Sequence, residues 1–178
     1  MLRKHKKYSR PRKPFDKARI EEENLLREKY GLKSKREIWK AEAAITRIRN
    51  LAKNLITKSE EEKSKFIEKL QKSGYKVDTI ADSLSLNKED YLKRRLQTIV
   101  FTKKLVRTPK QARQLIAHKH VSVGDQTVNI PSYQVSLEEE SLVKLNIILK
   151  IKDNKKSKME EIKEEVIGEN NEEEMIQA

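Results

Sequence analysis

The apolar residues of this chain change their spacing partway along it, and that change limits the folds open to it. Up to about residue 120 they recur at three- and four-residue steps, the mark of helices with one buried stripe. The longest stripe is Ile38, Ala41, Ile45, Ile48, Ala52 and Leu55, running to about Ile56, with Trp39 on its flank. Further on, Val143, Leu145, Ile147, Leu149 and Ile151 alternate with mostly polar residues. Period two marks a strand with one buried face. Between these regions Val121-Ser122-Val123 and Thr127-Val128-Asn129-Ile130 flank Gly124-Asp125-Gln126, a hairpin signal. The expected class is α+β: an all-helical N-terminal half, then a helix–helix–hairpin module with a small antiparallel or mixed sheet.

Boundaries follow from caps and stops. Phe15 to Tyr30 reads as a helix stopped by Gly31. Three segments have the capping-box pattern, a hydroxyl followed three residues on by Glu or Gln. They are Ser34 to Glu37 before the long stripe, Ser59 to Glu62 before a helix ending at Gly74, and Thr108 to Gln111 with Pro109 at the first helical position. A short helical piece is expected near Thr79–Leu84, and a single helix over Asn87–Phe101. The helix from Pro109 to Lys119 should bury Ala112, Leu115 and Ile116 and turn Lys110, Arg113, Gln114 and Ala117 outward. The chain thus divides into a basic arm, 1–14, a helical domain, 15–88, the module, 89–152, and an acidic tail, 153–178.

Charge says what such a fold would meet. Lys and Arg number 41 against 28 Asp and Glu, a net +13, and only 35% of residues are apolar. Residues 1–20 hold nine Lys or Arg and one Asp, whereas 153–178 hold four Lys and nine acidic residues. Crowded cations repel one another, and phosphates relieve that repulsion while releasing counterions. A polyanion is the natural partner. The tail has the wrong sign for phosphate and should be dispensable for binding. Nucleic acid and an anionic membrane surface both suit such charge. No run of about 18 apolar residues occurs, so no transmembrane helix is expected, and the partner expected is nucleic acid with no membrane.

Catalytic signals are missing. The chain has no cysteine. His5, His118 and His120 lack metal-ligand spacing, and the last two should leave their helix in different directions. The four glycines lie far apart, so no phosphate loop is present. No nucleophile–base grouping stands out, and the reading is of a non-enzyme with no cofactor or metal. The side chains expected on RNA are Arg3, Lys4, Lys6, Lys7, Arg10, Arg12 and Lys13 in the arm. On the long helix they are Lys35, Arg36, Lys40, Arg47 and Arg49. In the module they are Arg94, Arg95, Gln97, Thr98, Lys103, Lys104, Thr108, Lys110, Arg113, Gln114, His118 and His120. Arg113 and Gln114 are expected to touch RNA while Leu115 and Ile116 hold the module together.

Specific segments carry a resemblance. Arg94-Arg95-Leu96-Gln97-Thr98, Thr108 through Ile116, His118-Lys119-His120-Val121 and Val128-Asn129-Ile130-Pro131-Ser132-Tyr133 resemble, in order and spacing, the RNA-binding module of ribosomal protein four. That module also occurs on pseudouridine synthases and tyrosyl-tRNA synthetases. Tyr8 through Phe15, Lys29 through Trp39 and Arg47-Ile48-Arg49 resemble the archaeal and eukaryotic ribosomal protein family itself. The resemblance covers about residues 1–150 and leaves no room in this sequence for a catalytic domain.

It implies a structural component of the small ribosomal subunit, cytoplasmic, that binds small-subunit ribosomal RNA early in assembly. It would hold an RNA junction in the body of the particle, near where messenger RNA enters. Implied partners are that RNA, neighbouring small-subunit proteins and messenger RNA at the entrance channel. The rival reading is an assembly factor of the same fold acting on pre-ribosomal RNA. An RNA-modifying enzyme is disfavoured, since it would need a nucleophile in a separate fold. Three departures stand out. The four-cysteine zinc knuckle of some bacterial relatives is absent. Lys104 replaces a Gly common in relatives, which would cost roughly 1 kcal/mol or more if the position needs positive φ. The acidic tail has no counterpart.

Overall fold

The computed structural model describes residue 6 and residues 8–146. Arg3, Lys4 and Lys7, the expected strand beyond Asn146 and the whole acidic tail lie outside the described residues. Five helices come first: α1 (Lys17–Lys29), α2 (Arg36–Leu55), α3 (Glu60–Lys72), α4 (Ile80–Ser85) and α5 (Lys88–Lys93). Then follow α6 (Leu96–Thr102), α7 (Pro109–Ala117), β1 (Val121–Val123), β2 (Gln126–Thr127), α8 (Leu137–Ser141) and β3 (Val143–Leu145). The three strands are antiparallel in the order β2-β1-β3, with Val121 opposite Leu145 and Ser122 opposite Thr127. The described residues are therefore helical up to the hairpin, and the class is α+β as expected.

The long stripe does what its spacing predicts. Ile38, Ala41, Ala44, Ile45 and Ala52 of α2 are buried. At about 1.5 Å per residue, its 20 residues span roughly 30 Å. One cluster joins Ile38 and Ala41 to Leu26, Tyr30, Leu32 and Leu92. A second joins Ile45 to Leu70, Tyr75, Val77 and Leu86. Tyr91 packs against both. In the module Leu96, Val100, Ala112, Ile116, Val121 and Val135 are buried to 1% exposure or less.

Gly31 is more than a helix stop. Its φ is +59°, and a Cβ there would come within 2.8 Å of the Pro109 Cβ. The turn after α1 thus touches the first residue of α7, tying the helical half to the module. Gly74, at φ +83°, faces the Arg94 guanidinium, which a Cβ would strike at 2.4 Å.

Five expectations about local structure change. The second hairpin strand, expected over 127–130, is Gln126–Thr127, with Gln126 paired to Val123 and only Gly124-Asp125 in the turn. The Ser34 box does not form: α2 starts one residue later, with Lys35 already helical and no side-chain cap. Ser59 is the N-cap of α3, but its side chain makes no capping bond. The single helix over Asn87–Phe101 is two, α5 and α6, because the chain extends at Arg95 (φ −73°, ψ 142°). There it is held by residues 131–135: the Leu96 N–H donates to Tyr133 O at 2.8 Å, and the Val135 N–H donates to Arg94 O at 3.0 Å. Finally, α8 adds a helix that the apolar spacing does not signal, opened by a complete capping box of Ser136 and Glu139.

Candidate nucleic-acid interface

The break at Arg94-Arg95 throws two adjacent guanidiniums to different sides. Arg94 reaches the Glu140 carboxylate at 2.6 Å and Val135 O at 2.8 Å. Arg95, 3% exposed, reaches the Glu37 carboxylate at 2.6 Å. Arg113 meets the same carboxylate from α7, at 3.0 and 3.1 Å. Glu37 therefore links α2, the start of α6 and α7. Burial pushes its carboxyl up, but the Arg113 and Arg95 guanidiniums more than reverse this and hold it below the ordinary carboxylate value. Its sequence role, the far end of a capping box, is replaced by this bridge.

Gln97 completes the bridge from inside. It is 1% exposed, and its amide nitrogen lies 3.0, 3.0 and 2.9 Å from the carbonyl oxygens of Tyr30, Gly31 and Pro109. Its own oxygen accepts from Arg113 at 3.3 Å. Thr98 donates to Leu92 O at 2.7 Å. The surface placement expected of Arg95 and Gln97 does not hold: both side chains are buried and occupied by internal partners. Arg94, Thr98 and Arg113 are partly buried and similarly engaged.

What α7 turns outward is narrower than its periodicity suggested. Ala112 and Ile116 are fully buried, Leu115 is half-buried, and Lys110, Gln114, Ala117 and His118 are exposed. Lys110, Gln114 and His118 follow one another at four-residue steps and form one ridge. Arg113 sits beside that ridge, drawn toward α2 by Glu37. Thr108 is exposed, but its hydroxyl accepts the Gln111 N–H at 3.2 Å and caps the helix. Lys103 is half-buried and donates to Glu140 O. Lys104 is exposed.

The helix end also corrects the histidine reading. His118 and His120 do not diverge; their rings stack with centroids 6.3 Å apart and planes 24° apart. The cause is Lys119, whose φ of +64° reverses the chain between them. Lys119, exposed and between two imidazoles, is a cation the sequence reading passed over. The signal available was a helix ending without the Gly or Asn that commonly follows. Among the described residues no group of three or more His, Cys, Asp or Glu side chains is placed to hold a metal ion, and no helix is long and apolar enough to cross a membrane.

The helical half contributes a second basic edge. Arg36, Lys40 and Arg47 are exposed on α2. Lys40 borders a cleft of about 250 Å³ together with Glu37, Arg95, Arg113 and Ser132, so α2 and α7 present cations to the same opening. Arg49 instead donates to Leu86 O at 2.6 Å. Lys35 pairs with Glu23 at 3.3 Å.

Glu23 is itself a hub. It is 3% exposed and accepts from Arg19 at 2.7 Å and from the Trp39 indole at 2.9 Å. Burial pushes its carboxyl up, and the bonds from Trp39, Arg19 and Lys35 bring it below the ordinary value. Through Arg19 this hub holds the root of the arm, because Arg19 also donates to the carbonyls of Lys13 and Pro14 at 3.0 Å each. Tyr8 lies against Trp39, centroids 6.2 Å apart. Lys6, Arg10, Arg12 and Lys13 stay exposed along the arm.

Comparison with known proteins agrees with this geometry. Residues 94–141 match the S4 domain. That span runs from the broken helix to α8. The chain is 46% identical to the small ribosomal subunit protein uS4 of Thermoplasma volcanium, covering 78% of this chain and 74% of that protein. It is 40% identical to the Methanoregula boonei protein of the same name, over 78% and 81% of the two chains. It is 43% identical to the one from Korarchaeum cryptofilum, over 80% and 89%. The chain belongs to the uS4 family of small ribosomal subunit proteins, in its archaeal form.

Proposed function

We infer that this chain is a non-catalytic constituent of the small ribosomal subunit, working in the cytoplasm, that binds small-subunit ribosomal RNA and packs among neighbouring small-subunit proteins. Its place in the uS4 family and its S4 domain support that role. The observation that carries the mode of binding is the split surface of α7. Ala112 and Ile116 go fully inward, while Lys110, Gln114 and His118 form an exposed ridge. In this reading the ridge, Lys104 and Thr108 at its near end, and His120 at its far end meet RNA backbone and 2′-hydroxyls by shape. Arg36, Lys40, Arg47 and the arm's Lys6, Arg10, Arg12 and Lys13 extend the contact, with Arg3, Lys4 and Lys7 continuing it. Arg94, Arg95, Gln97, Thr98, Arg113, Lys35 and Arg49 support these residues from behind.

The finer proposal is that the chain binds early and nucleates the body of the particle, near where messenger RNA enters. A stiff α2 crossing from arm to module suits a part that must fix the relative positions of several RNA helices. The test is a filter-binding titration of the chain with a small-subunit ribosomal RNA transcript over a salt series. If about ten phosphates are neutralised, log K falls against log salt with a slope of roughly −7 to −9. A slope near zero rejects the clamp. Fractionation of native ribosomes should find the chain in mature small subunits; finding it only in precursor particles would favour the assembly-factor role.

A further inference from the structure

Four of the described helices end in the same way, and two of them do so with a residue poorly suited to the geometry. After α1, α3, α6 and α7 the chain passes through one residue of positive φ, and the next N–H reaches back to a carbonyl of the last turn. The closing bonds are Leu32 N–H to Arg27 O at 2.9 Å, Tyr75 N–H to Leu70 O at 3.1 Å, Leu105 N–H to Val100 O at 3.3 Å and His120 N–H to Leu115 O at 3.0 Å. The positive-φ residue is Gly31 and Gly74 in the first two, at +59° and +83°. In the last two it is Lys104 and Lys119, at +56° and +64°. A side chain in this region crowds its own carbonyl, which is why such caps favour Gly and, next, Asn.

At Gly31 the choice of Gly is explained locally, since Pro109 and the Lys110 backbone leave no space for a Cβ, and at Gly74 a Cβ would push the Arg94 guanidinium off its bonds to Glu140 and Val135. Lys104 and Lys119 are exposed, so a side chain fits there, but fitting does not account for choosing a strained one. Neither ammonium has a hydrogen-bond or ion-pair partner among the described residues. Each stands beside further donors, Lys103 in one case and His118 and His120 in the other. The closing bonds hold the backbone in this conformation, but Gly or Asn would make the same bonds with less strain. An exposed Lys whose ammonium has no partner among the described residues points to a contact made outside the molecule.

We propose that Lys104 and Lys119 are phosphate-binding residues of the RNA site, held in the left-handed conformation at a cost to stability because the helix end aims each ammonium at the RNA backbone. This rests on the RNA-binding reading above. It assigns the strongest exposed cation contacts of the module to its two helix ends rather than to its basic arginine pair. The competing explanation is internal: a Lys after a helix also complements the negative end of the helix dipole and would then stabilise the fold. The two explanations give opposite signs in one experiment.

The experiment compares full-length chains carrying Lys104→Gly, Lys119→Gly and both, by thermal melts and by salt-series titration with a small-subunit ribosomal RNA transcript. Lys104→Asn and Lys119→Asn provide a second series that removes the charge without adding glycine's flexibility. Each Gly substitution is expected to raise Tm by about 2 °C. Each should also weaken binding about fivefold near 0.15 M salt and reduce the salt slope by about 0.7–0.9, the effect of one phosphate contact given up. The double variant should show both changes compounded, and the Asn series should lose the same affinity. A fall in Tm on Gly substitution overturns the proposal in favour of the dipole. So does an unchanged affinity and slope while the unaltered chain binds with the steep salt dependence. If the unaltered chain itself shows no salt-dependent binding, the RNA reading has failed and this inference falls with it.

Discussion

Two basic pairs lie within eleven residues of each other, one at each end of α6, and they finish in opposite surroundings. Arg94-Arg95, before the helix, point inward; their side chains are 12% and 4% exposed, and both are paired with carboxylates. Lys103-Lys104, after it, lie nearer the surface, and Lys104 is exposed with no partner among the described residues. The chemistry of the head groups explains the division. A guanidinium offers a planar fork of five donors and is weakly hydrated, so it can satisfy a carboxylate and a carbonyl together inside a protein. An ammonium is a compact, strongly hydrated point charge, so an exposed one such as that of Lys104 keeps its water until an anion such as phosphate replaces it. Net charge alone therefore overstates how many cations are free for RNA.

The comparison breaks most easily at Glu37. Glu37→Gln keeps the shape but removes the charge shared by Arg95 and Arg113. Leaving the buried Arg95 uncompensated should cost about 3–5 kcal/mol. A thermal melt reads this directly, and an unchanged Tm would mean that the inward arginines are ordinary solvated side chains. The RNA affinity of the folded fraction should be nearly unaltered.

Acid offers a graded version of the same break. Glu37 and Glu23 both titrate below the ordinary value of 4.5 in the folded chain. A depressed folded-state value means that the stabilisation is fully present above about 4.5 and is lost as pH falls through the lower folded value. Melts at about pH 7 and about pH 3.5 should therefore differ more in the unaltered chain than in Glu37→Gln. Equal losses in the two would remove Glu37 from the account.

Arg113→Ala sharpens the comparison, since this residue sits between the two groups. Its side chain is 27% exposed and shares Glu37 with Arg95. By its place in the sequence it belongs to the RNA face; by its contacts it belongs to the interior link. Contacts should prevail, with a stability loss of about 1–3 kcal/mol and little change in affinity per folded molecule. Affinity falling while Tm holds would return Arg113 to the ridge.

The elements and their order were legible where the signal was local. The stripe from Ile38 to Leu55, the stops at Gly31 and Gly74, and the Thr108-Pro109 start each depend on residues within a few positions. What could not be read locally depended on partners far along the chain. The break at Arg95 is made by residues 131–135, and the apolar spacing of Tyr91, Leu92, Leu96 and Ile99 continues across it as though the helix were whole. Glu37 fits a capping box, yet two arginines 58 and 76 residues away outcompete the nearby N–H. The side of α7 that is buried was legible, but whether Arg113 faced RNA or α2 was not. A helical wheel separates inside from outside without saying what stands at the border.

Thr108 gives the smallest effect and separates the two uses of one position. Its place in the sequence suggests an RNA contact, and its hydroxyl is the cap of α7, accepting the Gln111 N–H at 3.2 Å. Thr108→Ala should cost about 1 kcal/mol, the usual value of an N-cap. That result alone would leave its place on the surface undecided. Thr108→Asp decides it, because Asp caps as well as Thr and complements the positive end of the helix, so stability should hold or rise slightly. Its charge, however, would stand at the N-terminus of α7, two residues before Lys110, at the near end of the surface proposed to face phosphate. If the ridge meets RNA, Thr108→Asp should weaken binding several-fold with no loss of Tm, and the penalty should shrink as salt screens the repulsion. If the Asp variant binds as tightly as the unaltered chain at low salt, the near end of α7 does not face RNA, and Thr108 serves the helix alone.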